Sequence, residues 1–176
     1  MTINKKIYIQ KQFEDSEEWS FVLEIANDLF DYLSIPEVIQ KINAVNIPGR
    51  SSIEIQDVLL KKVKEIGFKD ESENLFKNSP NKRLRPDFYL PFKNTGIIIE
   101  VERGKTNINN MDFLDFWKCH ICDVAHYLFL IVPNELVQND TTGSRSYPYK
   151  TVNSHMSSFF EEKNYTNVRG LVVFGY

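Results

Sequence analysis

The chain has 176 residues, enough for one domain with a sizeable core or one domain plus a small helical extension, and its 42% hydrophobic and 26% charged residues are ordinary for a soluble globular protein. A formal net charge of −3 gives no support for a nucleic-acid partner, and two cysteines cannot form a disulfide framework. No apolar run approaches a membrane span and residues 1–6 lack a signal-peptide core, so no membrane partner is expected and the expected location is cytoplasmic.

In chain order, residues 6–10 alternate too briefly to assign. Asp15 and Glu18 form a capping-box pattern, with Asp15 as the expected N-cap, ahead of a helix carrying Trp19, Val22, Leu23, Ala26, Leu29, Phe30 and Leu33 on one stripe. Pro36 leads a second short helix through residue 42, and Pro48-Gly49 marks a turn. Residues 1–48 therefore read as an N-terminal helical extension and residues 49–176 as the core. Ser51 and Glu54 open a third helix that stops at Gly67, with Ile55, Val58, Leu59, Val63 and Ile66 on its buried face. Phe68 begins a strand, and residues 71–83 read as a polar loop.

Two strands follow, around residues 87–90 and 96–102. In the second, Glu100 and Glu102 point to one side while Ile97, Ile99 and Val101 point to the other. Two carboxylates side by side in a strand repel each other, and a divalent cation is the commonest way to offset that cost. Asp87 precedes Glu100 by the length of one short hairpin, and a turn at residues 93–96 can fold it back beside that residue. Asn109 and Asn110 then supply an N-cap for a helix expected over residues 111–125. Residues 127–132 are a continuous apolar run, read as a strand buried on both faces. Residues 138–150 read as a long polar loop, residues 154–162 as a short helix and residues 170–175 as a last strand. From residue 51 the order α-β-β-β-α-β-α-β implies an α/β (α+β) fold, a central mixed β-sheet flanked by helices.

That order, with Pro86-Asp87 at a strand start and Glu100-Val101-Glu102 on the next strand, resembles the PD-(D/E)xK nuclease superfamily, the fold of most type II restriction endonucleases and of Holliday-junction resolvases. The resemblance covers residues 51–176 in architecture, and its motif rests on a handful of positions. It implies a restriction-endonuclease-like core and a Mg²⁺-dependent enzyme that hydrolyses phosphodiester bonds in double-stranded DNA. Symmetric cutting of a duplex needs two sites, so a homodimer is expected, with the Trp19 and Phe30 face as a candidate dimer element. The resemblance also implies Mg²⁺ ligands at Asp87, Glu100 and the main-chain carbonyl of Val101. The family's third position is usually Lys, and here it is Glu102. A subset of restriction enzymes carries Glu there, which makes Glu102 a candidate base or second-metal ligand. Lys105 or Lys118 are the alternatives, as a displaced cation. Members often add an acidic residue from the first helix, and Glu54 and Asp57 are the candidates, although Glu54 also completes the capping box. A junction resolvase or repair nuclease, and a nuclease-like binding module without catalysis, are the alternative functions.

Cations cluster locally around this stretch, with Arg103 and Lys105 directly after it. Arg145 and Lys150, in a segment mixing cations, hydroxyls and aromatics, join Arg103 as candidate DNA contacts. Cys119, Cys122 and His126 fall short of the four ligands of a structural zinc site, and the two cysteines read as small buried thiols. His155 has no partner pattern in the sequence that makes a catalytic triad.

Overall fold

Ile97 to Ile99, Tyr127 to Val132 and Leu171 to Phe174 are runs rich in aliphatic and aromatic residues, and such strands have to be covered on both faces. The computed structural model describes residues 2–70, 75–76, 84–103, 110–137 and 143–176. It begins with β1 (Asn4–Ile9), α1 (Glu17–Leu33), α2 (Pro36–Val45), α3 (Ser52–Ile66) and β2 (Lys69–Asp70). The hairpin β3 (Phe88–Phe92) and β4 (Thr95–Val101) follows, then α4 (Met111–His120) and β5 (Tyr127–Val132). A small hairpin of β6 (Leu136–Val137) and β7 (Arg145–Ser146), α5 (Pro148–Ser157) and β8 (Gly170–Gly175) complete the chain.

Six strands form one mixed sheet in the order β1-β8-β5-β4-β3-β2. β4, β5 and β8 run parallel, while β3 and β2 continue antiparallel on one side and β1 lies antiparallel to β8 on the other. Every residue of β4, β5 and β8 is buried. On one face Val22, Leu29, Ile42, Leu59 and Val63 pack against Ile97, Ile99, Phe129 and Phe174. On the other, Phe116, Cys119, Val152 and Met156 pack against Ile98, Leu128, Leu130 and Val173. Within β4 the alternation sends Ile97, Ile99 and Val101 toward α1–α3, and sends Ile98 toward α4 and α5. Glu100 is in step with Ile98 and takes the α4 side.

The expected order α-β-β-β-α-β is present as α3-β2-β3-β4-α4-β5. The N-terminal segment differs from a purely helical extension. Residues 4–9 form an edge strand on β8, and Val22, Leu29, Val38 and Ile42 share one apolar cluster with α3 and the sheet. Residues 6–10 alternate weakly because an edge strand is half exposed. The cap of α1 is Ser16, the neighbour of the expected Asp15, and its Oγ accepts from the Trp19 N–H at 3.1 Å. Trp19 itself is 4% exposed and stacks on Tyr127, which removes it from any dimer surface. Helix α4 ends at His120, short of the expected residue 125, because the chain needs residues 121–126 to return to the start of β5. Residues 145–150 are not loop. Arg145 lies in β7, and α5 starts at Pro148, in the first turn where a missing N–H costs nothing. Residues 71–74, 77–83 and 138–142 of the expected loops lie outside the described residues.

Candidate active site

The β3–β4 hairpin fixes where the acidic residues stand. Its register pairs Phe92 with Thr95 and Phe88 with Ile99, and one further step sets Asp87 across from Glu100. Lys93 turns the chain with a positive φ of 47°, and Gly96 leaves room for the return strand. A Cβ at Gly96 would stand 2.8 Å from the Leu90 carbonyl oxygen and closer still to the Tyr89 ring. Asp87 Oδ2 accepts a 2.7 Å hydrogen bond from the Val101 N–H, which ties the two strand ends together. Glu102 is the first residue past β4. Its N–H donates to the Ile131 carbonyl at 2.9 Å, and its own carbonyl accepts from the Tyr176 hydroxyl at 2.8 Å.

Helix α4 closes the site from above. Asp112, Asp115, Phe116, Lys118 and Cys119 are its buried face, so three charged residues share a stripe with apolar ones. Lys118 Nζ lies 3.0 Å from Glu100 Oε1 and 2.9 Å from Asp115 Oδ1. Asp115 is fully buried, and its compensating contacts are the ammonium of Lys118 and the carboxyl of Glu102.

Four carboxylates and one ammonium leave the site short of positive charge, and the proton affinities reflect it. Glu100 is raised well above the usual glutamate range, first by burial and then by the charges of Asp115 and Asp87, against the pull of Lys118. Glu102 is raised to about 8 by burial and by Asp115 and Asp87, again opposed by Lys118. Burial also lifts Asp115, against Lys118. Burial alone would lower Lys118, but Glu100 and Asp115 outweigh it and hold the ammonium above the ordinary lysine value.

Among the described residues, no three His, Cys, Asp or Glu side chains are grouped so as to hold a metal ion. The donor set itself suits a hard divalent cation: all oxygen, carboxylate-rich, partly desolvated and short of positive charge. Asp87, Glu100 and the Val101 peptide adjoin one another, and Glu102 and Lys118 join them. Lys105 lies outside the described residues.

Other expected site residues have local duties. Glu54 caps α3, accepting from the Ser51 N–H at 2.9 Å, and the Ser51 hydroxyl holds its carboxyl below the usual range. Arg103 is a correction as a DNA contact: it is 5% exposed, and its guanidinium donates to the carbonyls of Arg50, at 2.6 Å, and Ile47. Arg145 is exposed but ion-paired with Glu135. Lys150 stands exposed on the first turn of α5. Cys119 and Cys122 are free, buried thiols, with Cys122 just past the end of α4.

Sequence reasoning missed Asp115, and it missed the partner of His155, whose Nδ1 lies 2.7 Å from Asp112 Oδ2. The available signal was the spacing of Asp112, Asp115, Phe116 and Cys119 at i, i+3, i+4 and i+7, which puts two acids on the apolar face of a helix. Neither a protein-family model nor a curated protein matches the chain.

Proposed function

We propose that this chain is a Mg²⁺-dependent endonuclease of the PD-(D/E)xK type that cuts double-stranded DNA as a homodimer, in the manner of a type II restriction endonuclease. The observation that carries the reading is the meeting of Asp87, Glu100, Glu102 and Lys118 at the end of a β-hairpin under the helix that follows it. Bound between Asp87 and Glu100, Mg²⁺ would supply charge that stabilises the phosphate under attack and acidifies the attacking water. Glu102 takes the proton of the attacking water as the water oxygen bonds to phosphorus, and the bond to the leaving deoxyribose oxygen breaks, that oxygen taking a proton from solvent. Lys118, held in the site by its buried acidic neighbours, orients the groups around the phosphate. The helix, hairpin and crossover order α3-β2-β3-β4-α4-β5 agrees with this reading.

A second reading, a nuclease-like fold that binds without cutting, is favoured by the pairing of Glu100 with Lys118 and the lack of a ready metal-ligand group among the described residues. Incubation with plasmid and with synthetic four-way junctions, in Mg²⁺ and in EDTA, separates the two. Discrete Mg²⁺-dependent plasmid fragments, lost in Asp87→Asn, are expected. Resolved junctions with intact plasmid would move the reading to a resolvase, and binding with no cleavage of any substrate would leave the second reading.

A further inference from the structure

Lys118 stands between two carboxylates that come from different elements. Glu100 belongs to β4 and lies 3.0 Å away, while Asp115 is one helical turn back on α4 and lies 2.9 Å away. The ammonium is largely buried, as are Glu100 and Asp115, which strengthens the attraction between the charges. Glu100 is also where the proposed nuclease site would need a free oxygen for its cation. A lysine and a divalent cation cannot both sit at full strength on one carboxylate, because the two positive charges repel across a desolvated site. Asp115 resolves this conflict. It is fully buried, Glu102 reaches it from the end of β4, and its Oδ1 lies 2.9 Å from the same ammonium.

We propose that Lys118 is the resident counter-ion of this site and that Asp115 is a positioning residue, the second berth that takes the lysine when a divalent cation takes Glu100. The inference rests on the metal-site reading above. In the cation-free protein the lysine bridges both acids and keeps the hairpin and α4 together. On cation binding the contact to Glu100 lengthens and the contact to Asp115 remains, so the lysine stays in the site instead of leaving it.

The test is a double-mutant cycle read by Mn²⁺ binding, using the electron spin resonance signal of free Mn²⁺, with no DNA and no turnover required. Asp115→Asn should weaken Mn²⁺ binding at least fivefold, because the lysine then has Glu100 alone to pair with. Lys118→Met should strengthen it at least fivefold, because the competitor is gone. The double variant should bind as Lys118→Met does, since the asparagine has no lysine left to misplace. Circular dichroism melts check that each variant folds, and Lys118→Gln replaces Lys118→Met if the latter does not. If Asp115→Asn weakens binding equally with and without Lys118, Asp115 is itself a ligand and the inference is overturned. It is equally overturned if Lys118→Met and Asp115→Asn both leave Mn²⁺ binding unchanged. Wild-type protein that binds no Mn²⁺ would overturn the metal-site reading beneath it.

Discussion

At the scale of single residues, the carboxylates at the end of β4 make a signed statement about pH. Glu100, Glu102 and Asp115 all have folded-state values raised above the unfolded ones, Glu102 to about 8. A raised acid contributes stability that is fully present below its unfolded pKa, about 4 to 4.5, and lost as pH climbs through the folded value. In EDTA, thermal melts should therefore fall between about pH 4.5 and about pH 8. Glu102→Gln should flatten that fall by roughly 3 °C or more, the size of about 1 kcal/mol for a chain of this length. Added Mg²⁺ should do the same by charge compensation. Melts of wild type that rise across this window, or a Glu102→Gln profile parallel to wild type, would count against the arrangement. Asp87, Glu100 and Glu102 were readable in the sequence because strand periodicity and hairpin length are local properties. Asp115 was not, since its importance lies in a lysine one turn away and a glutamate on a separate strand. Arg103 was misread for a similar reason: its partners are the carbonyls of Ile47 and Arg50, in a turn far back in the chain.

At the scale of elements, the β3–β4 hairpin is the part on which the site depends most directly. Its register sets Asp87 opposite Glu100, and at Gly96 the Leu90 carbonyl and the Tyr89 ring leave no room for a Cβ. Gly96→Ala should cost about 1–3 kcal/mol, the usual range for forcing a methyl into a packed interior. It should also lower cleavage more than the change in folded fraction explains, because the hairpin must open to admit the methyl. A melt shift below roughly 1 °C would show that the close approach is easily relieved. Element types were legible where spacing was regular, as in α1, α3, β5 and β8. Element ends were not, because they are set by where a neighbour begins. The return to β5 shortens α4, and Pro148 starts α5 earlier than the polar composition of that segment suggests.

At the scale of the whole molecule, the N-terminal segment and the rest of the chain form one folding unit. β1 covers the free edge of β8, and α1 and α2 complete the apolar cluster that α3 begins. A fragment limited to positions 49–176 would expose the β8 edge and that face of the sheet, and is expected to aggregate or remain unfolded. A soluble fragment with a cooperative melt would refute this. Sequence patterning could not reveal the unity, because a short edge strand acquires its meaning only from β8, the last strand of the chain.

The two-sided cover of β4 has a further consequence for how the chain reaches its final state. Moving the strand by a single position in its pairing would turn Glu100 into the aliphatic cluster under α1–α3, where no ammonium waits, and bring Val101 out beside Lys118. Such a slip is penalised by the desolvation of a buried carboxylate left without its counter-ion. The carboxylates at the end of β4 thus favour the alignment in which Glu100 meets Lys118 over its one-residue slips.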